Sequence, residues 1–446
     1  MRILHVSTRL ILGGSQENTV LSCEGQARDG HDVHLAFGPI YGPEGSLLER
    51  VNRFNAAIAP GGPTRPITTH VIPDLVREVS PLRDLRALRQ IRELVERIRP
   101  HIVHTHSSKA GIVGRCAAWK SRLDWTSHPQ NTDPRPPRPG VIHTIHGPPF
   151  MPLDGGPLNR LKRRINNTIY TLAERHAARR CDVIVSVADA MTTEFLRRGI
   201  GRPDQYVTVR SGMEIAPYLS PPHGDSRETS RGELGLQPTD FVIGTVARLA
   251  EHKGHDDLLD ALADDLRSHP SWKLLWVGDG WWRERLLAKA KSLGLIVHEL
   301  DNPGATTAPP GSPPVRAHIF LTGLVPPERV PAMIRAMDVL AHPSYREGLP
   351  RTVPQALLAG VCPLAYDADG TREVCRDMDT GRLVPVGNVT ALREAARWLA
   401  DHRAERTAMA ERGRAWCTDR FSAQTMVAEL DIVYRRALDR ALHVSG

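Results

Sequence analysis

Two cations and one carboxylate stand out in the second half of the chain. Arg248 and Lys253 lie five positions apart in VARLAEHKG, between an apolar run and a helical pattern. At such a turn they could clamp a diphosphate and oppose the charge building on a leaving phosphate, with no metal. Cations near a helix start are mildly unfavourable for the helix, which weighs against a merely solvated helix end. Glu347 sits in REGLPRTVPQALLAG (346–360), in a Gly/Pro loop ahead of a helix expected near Pro354. An ionised carboxylate only accepts and can bind two sugar hydroxyls at once. The same residue reads equally well as an N-terminal helix carboxylate.

The first half offers a different set. Gly13-Gly14-Ser15 follows the first apolar run and precedes a helical pattern from about 16 to 29. Glycine admits a ligand close to the backbone, and a helix start offers free N–H groups to an anion. An ordinary turn is the competing reading, because G-x-G-x-x-G is absent. The histidines of HIVHTH (His101, His104, His106) and VIHTIHG (His143, His146) invite a metal. Yet residues three apart on a strand face opposite sides, so His143 and His146 cannot chelate together. His104 and His106 share a face without an obvious carboxylate, so no metal site is expected. His146 falls at the C-terminal end of its run, where open α/β sheets bind ligands. Asp367-x-Asp369 in AYDADG reads as a turn sooner than as a metal pair. LNRLKRRINNTIYTLAERHAARR (158–180) carries seven arginines and lysines beside Leu158, Leu161, Ile165, Ile169 and Leu172. It suits a helix on a sheet with a basic solvated face, or one lying on a membrane.

Elements that position these residues follow from the apolar pattern. Runs at 2–7, 31–37, 101–106, 141–146 and 182–187 read as strands, and 83–99 as a helix with Leu85, Leu88, Ile91, Leu94, Val95 and Ile98 on one side. The pattern restarts near 240, with strand candidates at 241–249, 273–280, 319–324, 338–344 and 362–367. Alternating strands and helices predict α/β domains with parallel sheets covered on both faces. The expected division is a first domain over 1–215, a linker over 216–235, a second domain over 236–420 and an amphipathic terminal helix over 421–446. The linker reading rests on the Pro/Ser/charge-rich stretch 219–235. Proline content marks 120–140 and 301–316 as mobile surface loops.

At 446 residues, two domains are the natural expectation. The net charge of +8 is uneven: residues 1–215 carry +10 and residues 216–446 carry −2. A basic first half suits a phosphorylated or acidic ligand, or an anionic membrane. No aromatic-interleaved basic stripe points to nucleic acid. The six cysteines are dispersed without a C-x-x-C pair, so neither disulfides nor a zinc knuckle is indicated, and the cytoplasm is the expected compartment. MRILHVSTRL does not read as a signal peptide, and no run of 18 apolar residues predicts a transmembrane helix.

Together these segments resemble glycosyltransferase family 4, the retaining GT-B enzymes, along nearly the whole chain. The resemblance is carried by the GGS turn, VHTHSSKAGIVGRCAA (103–118), HTIHG (143–147), VIVSVADA (183–190), VRSGME (209–214), VARLAEHKG, WVGDG (276–280), FLTGLV (320–325), the Glu347 segment, DADGTREV (367–374) and TGRLVPVGN (380–388). It implies two Rossmann-like domains whose parallel sheets face each other across a cleft. A nucleotide sugar, by default UDP-linked, would be held by the second domain, and a glycan or lipid-linked acceptor by the first. Arg248 and Lys253 would hold the diphosphate, with Gly13 and Gly14 approaching it. Gly323 and Leu324 would meet the base through their backbone. Glu347 would bind sugar hydroxyls, with Gly348, Leu349, Arg351 and Thr352 nearby, and His146 would sit beside the transferred sugar. His106 and Lys109 would lie on the acceptor side. No cofactor or metal is implied; peripheral contact with an anionic membrane is expected from the basic first half and the 158–180 segment. One departure is clear: the family's E-x7-E pattern has Gln355 as its second member. Gln accepts a ribose hydroxyl without the negative charge, so weaker ribose binding is expected. A non-catalytic nucleotide-sugar-binding protein and a nucleotide-sugar epimerase are the alternatives.

Overall fold

A computed structural model describes residues 1–40, 45–124, 138–147, 149–150, 157–221, 225–300 and 316–443. The chain divides into two units, Met1–Met213 with Ser422–Gly446, and Glu214–Phe421.

The first unit is built on β1 (Arg2–Ser7), β2 (Asp32–Phe37), β3 (Thr68–Val71), β4 (Ile102–His106), β5 (Gly140–Ile145), β6 (Val183–Ser186) and β7 (Tyr206–Thr208). They form one parallel sheet in the order β3-β2-β1-β4-β5-β6-β7. Its helices are α1 (Gly14–Arg28), α2 (Leu48–Ala56), α3 (Pro81–Ile98), α4 (Ser108–Asp124), α5 (Pro157–Ala178) and α6 (Asp189–Arg197). The central strands are apolar on both faces because both are covered. Leu4, Val6, Val103 and Val141 pack against Ile91, Leu94, Val113 and Ala117 of α3 and α4. Ile3, Ile102, Ile142 and Val183 face the other way, against a helix from the far end of the chain. The α3 helix begins at a proline in its first turn and ends at Arg99, which takes a left-handed conformation (φ 46°) ahead of Pro100.

The second unit contains β8 (Phe241–Val246), β9 (Trp272–Val277), β10 (Val297–Glu299), β11 (Ile319–Leu321), β12 (Val339–His342), β13 (Cys362–Tyr366) and β14 (Arg382–Val384). All are parallel, in the order β10-β11-β9-β8-β12-β13-β14. Its helices are α7 (Ala216–Leu219), α8 (Arg227–Glu233), α9 (His255–Ser268), α10 (Arg283–Ser292), α11 (Val330–Arg335), α12 (Thr352–Leu358), α13 (Val389–Asp401) and α14 (Arg403–Arg420). The terminal α15 (Ala423–His443) belongs to the first unit. It is the helix that covers the second face of that sheet, through Met426, Leu430, Val433 and Ala437.

Three expectations change. The stretch expected as a linker, 216–235, is part of the second unit. Arg227 and Arg231 of α8 both reach Asp338, at 2.7 Å each, and Arg231 also donates to the carbonyls of Ala336, Gln237, Pro238 and Asp240. Residues 120–124 of the expected 120–140 loop continue α4, and 138–139 lead into β5. The remainder, 125–137, lies outside the described residues, as do 301–315. The edge strands β3, β7, β10 and β14 have three or four residues each and no counterpart among the expected strands.

Each sheet reverses its winding at one point, between β1 and β4 in the first and between β8 and β12 in the second. Open α/β sheets bind ligands outside the carboxyl ends of the strands flanking such a point.

Asp338 is the anchor of the former linker. It also accepts from the Val242 amide (2.9 Å) and lies 3.5 Å from Arg406. Replacing it by alanine leaves Arg231 buried without its carboxylate. Asp338→Ala should cost about 3 kcal/mol, read as a lower denaturant midpoint; a change below about 1 kcal/mol would show the pairing to be weak.

Candidate active site

At the switch point of the second sheet, Lys253 and Glu347 meet. Lys253 follows β8, in the turn before α9, and Glu347 follows β12. The Lys253 Nζ donates to Glu347 Oε1 at 2.5 Å, and His342 Nε2, on the last residue of β12, lies 3.1 Å from the same oxygen. The Glu347 side chain is 14% exposed. Burial by itself would raise its carboxyl, but the Lys253 charge and the His342 ring outweigh it and hold it below the usual carboxylate range.

Both loops are braced. Gly254 is left-handed (φ 70°), and a Cβ there would lie 2.0 Å from the Pro343 carbonyl oxygen, so glycine is required for the approach. The Tyr345 amide donates to the His252 carbonyl at 2.9 Å, and Ser344 Oγ donates to it at 3.1 Å. Tyr345 and Tyr366 both donate to Asp257 Oδ2, at 2.7 and 2.6 Å. The Glu347 amide donates to Asp369 Oδ2 at 2.8 Å, while Asp367 pairs with Arg372. Both members of the D-x-D pair thus hold the turn.

The surroundings are cationic. His252 is pushed below its ordinary value, first by burial and then by Lys253, against an opposing pull from Glu347; Arg346 and Arg248 add to the downward push. Arg248 is exposed at the end of β8, with its guanidinium 5.4 Å from the centroid of the Trp281 ring. Gly323 follows β11 in a left-handed conformation (φ 65°), with open space where a Cβ would stand, and Leu324 beside it is 74% exposed. Gly348 and Leu349 are buried, and Arg351 and Thr352 lead into α12. The helix starts at Thr352, two residues before Pro354. Gln355 is half-buried in its first turns, and its side chain makes no hydrogen bond among the described residues.

The switch point of the first sheet holds a cavity of about 190 Å³. Ser15, Ser107, Ser108, Thr144 and His146 are among its walls, with Tyr170 and Phe195 beyond. The GGS turn and His146 are therefore neighbours around one space. Gly13 has extended backbone (φ 179°), and a Cβ there would meet only the mobile end of Gln16. The fold does not demand glycine at 13. His106 and Lys109, expected on the acceptor side, do not line this cavity. His106 is 1% exposed and reaches it only through His146, at 3.1 Å. Lys109 pairs with Asp84 at 2.5 Å and donates to the Glu78 carbonyl.

Sequence reasoning missed His342, which resembles an ordinary strand residue in DVLAHPS; its signal was its place at a strand end, five residues before Glu347. It also missed Asp257, whose partners Tyr345 and Tyr366 lie 88 and 109 positions away.

The pair makes acid stability informative. Glu347 has a lowered value in the fold, so its contribution is complete above the unfolded value, about 4.3. It fades as pH falls towards the lower folded value. Glu347→Gln should lose stability at pH 7 and lose less than wild type between pH 5 and 3. Parallel acid-melting curves would contradict the pairing.

Comparison with known proteins bears on the family and the fold. The Glycosyl transferase 4-like domain family matches residues 13–212, and Glycosyl transferases group 1 matches residues 240–402. The chain is 26% identical over 394 residues to 2-deoxystreptamine N-acetyl-D-glucosaminyltransferase of Streptomyces fradiae, covering 82% of this chain and 85% of that one. It is 22% identical to UDP-Gal:alpha-D-GlcNAc-diphosphoundecaprenol alpha-1,3-galactosyltransferase of Escherichia coli, covering 87% and 85%. The structure of Anabaena HepE in complex with UDP and glucose superposes with a TM-score of 0.72 at 19% identity, over 98% of this chain and 99% of that one. Two tandem family matches, two doubly wound parallel sheets and glycosyltransferase neighbours along the whole length give one conclusion: the chain belongs to glycosyltransferase family 4 and has the GT-B fold.

Proposed function

We propose that this glycosyltransferase moves a hexosyl or N-acetylhexosaminyl group from a UDP-linked sugar to a hydroxyl of a glycan or lipid-linked acceptor. The anomeric configuration is retained and no metal is needed. One observation carries the reading: three cations, Arg248, Lys253 and Arg346, act on His252 together with the carboxylate Glu347, which pairs with Lys253 beyond β8 and β12. That charge suits a diphosphate, and the buried carboxylate suits sugar hydroxyls. The names of the E. coli and S. fradiae relatives, and the UDP and glucose held by HepE, support the donor and acceptor classes.

In this mechanism the bond from the anomeric carbon to the diphosphate oxygen breaks, with its electron pair leaving on the phosphate. Arg248 and Lys253 oppose the negative charge that develops there. The acceptor oxygen bonds to the anomeric carbon from the same face, and its proton passes to the departing phosphate. Glu347 accepts hydrogen bonds from the sugar, and His146 serves the transferred sugar. The backbone of Gly13 and Gly14 approaches the diphosphate, that of Gly323 and Leu324 the base, and Gly348, Leu349, Arg351 and Thr352 line the donor. Gln355 takes the ribose with a neutral amide. His106 acts through His146, and Lys109 through the α3–α4 packing.

A surface of the first unit supports peripheral contact with an anionic membrane on the cytoplasmic face. Leu161, Ile165, Ile169 and Leu172 are spaced to share one side of α5 and are 50–61% exposed. Arg164, Thr168 and three of these residues line an open groove of about 360 Å³, and Arg160, Lys162 and Arg163 flank it. Exposed apolar side chains edged by cations suit a lipid interface. No helix among the described residues is long and apolar enough to cross a membrane.

Arg248→Ala should lower turnover of a UDP-sugar about 100-fold or more in EDTA-containing buffer, with an unchanged melting temperature. Near wild-type transfer would refute the clamp. Failure of wild type to bind any UDP-, GDP- or ADP-sugar in calorimetry would favour a non-catalytic homologue, with Gln355 as its marker.

Ile165→Glu with Ile169→Glu should abolish flotation with phosphatidylglycerol vesicles while leaving transfer to a water-soluble acceptor unchanged. Equal flotation of wild type and variant would remove the membrane surface.

A further inference from the structure

The histidines of the first unit are joined end to end. His146 Nε2 lies 3.1 Å from His106 Nδ1, and His106 Nε2 lies 2.9 Å from His5 Nδ1. His5 Nε2 is 2.8 Å from Gln26 Oε1, and Gln26 Nε2 donates to the Tyr434 hydroxyl at 2.9 Å. That hydroxyl is 2.8 Å from His104 Nδ1, and His104 Nε2 is 2.6 Å from Thr144 Oγ1. His5, Gln26, His104, His106 and Tyr434 are all buried, while His146 and Thr144 both line the 190 Å³ cavity. The series therefore leaves the cavity wall at His146, runs through the core by way of α1 and α15, and returns to the wall at Thr144.

Burial lowers His5 to about 4 and drives His104 and His106 well below the ordinary histidine range, so all three are neutral near pH 7. A neutral imidazole has one donor and one acceptor nitrogen. An amide oxygen only accepts, so His5 Nε2 must donate to Gln26. His5 Nδ1 then accepts from His106 Nε2–H, and His106 Nδ1 accepts from His146 Nε2–H. On the other arm, Gln26 donates to Tyr434, Tyr434 to His104 Nδ1, and His104 Nε2–H to Thr144. No bond can reverse alone. Reversing the whole series turns the Gln26 amide round and moves every ring proton to the opposite nitrogen.

We infer that this series is a directional relay that sets which nitrogen of His146 carries the proton, with Gln26 and Tyr434 as its distant positioning residues. It rests on the role given to His146 in the proposed reaction. With Nε2–H donated inward, a His146 ring carrying one proton keeps its lone pair on Nδ1 and acts there as an acceptor. The reversed relay would make Nδ1 a donor. The hydrogen-bonding sense of His146 is thus fixed by groups that never touch the sugar. His5, His104 and His106 also bring one ring nitrogen each within 4.8 Å of one another, as a metal would require. Yet every one of their ring nitrogens already has a partner, and a metal would have to break the His5–His106 bond.

The test is long-range ¹H–¹⁵N correlation on the full chain labelled at histidine. Wild type should show His5, His106 and His146 in one shared tautomer with the proton on Nε2. Tyr434→Phe, which leaves His146 untouched, should mix the His146 tautomers. It should lower kcat about 10-fold with donor KM unchanged within about twofold. Different tautomers among the three rings in wild type would overturn the relay. So would a Tyr434→Phe protein with a lower melting temperature but an unaltered His146 tautomer. Stoichiometric Zn²⁺ uptake that abolishes the His5 and His106 N–H signals would replace it with a metal centre. The tautomer readout needs no turnover, so it separates failure of the relay from failure of the proposed reaction.

Discussion

A carboxylate cannot be buried without a partner, and the partner of Glu347 sits nearly a hundred residues earlier in the chain. Lys253 and Glu347 can meet because β8 and β12 are parallel neighbours whose carboxyl ends come out side by side. The two strands are neighbours because the winding of the sheet reverses between them. Gly254, which no larger residue could replace without striking Pro343, and the two tyrosines on Asp257 hold the two loops at the separation the pair needs. The ion pair is therefore as much a consequence of topology as of residue type.

The first unit solves a different problem at the same topological position. Its central strands lie in a mostly apolar core, yet β1 and β4 place His5, His104 and His106 on one face. Each would be costly to bury alone. Chaining them lets every donor find an acceptor, with Gln26 from α1 and Tyr434 from α15 closing the gaps. The return of the terminal helix thus does more than cover Ile3, Ile102 and Val183 with Leu430 and Val433. It supplies the hydroxyl that joins Gln26 to His104 in the polar network.

Much of this was legible in the sequence, for identifiable reasons. The central strands are continuous apolar runs, and Arg248, Lys253, Glu347 and His146 stand at their ends, where a parallel sheet presents ligand groups. The edge strands β3, β7, β10 and β14 were not legible. They are short, and all but β14 lack a fully buried residue, so no apolar run marks them. The stretch 219–235 reads as a linker because its composition is Ser, Pro and charge. Its arginines are instead bound to Asp338, more than a hundred residues on, which no local pattern reveals. The partners of His106 and Lys109, expected on the acceptor side, were not legible for a similar reason. Their neighbours His5 and Asp84 belong to distant segments that claim them first.

The resting ion pair also bears on catalysis. An enzyme gains rate only from interactions stronger in the transition state than in the ground state. On the proposed reaction, Lys253 held by Glu347 gives part of its charge to that carboxylate, while the donor diphosphate carries two negative charges and gains a third when the anomeric bond breaks. As the anomeric bond lengthens, charge moves onto the phosphate, and the lysine has more to gain by turning to it. Glu347, losing part of its partner, is then left with lone pairs for the hydroxyls of a sugar that has become cationic. On the proposed reaction, the two groups exchange partners along the reaction coordinate, and the pair that stabilises the unliganded fold becomes a store of interaction released where the barrier is highest.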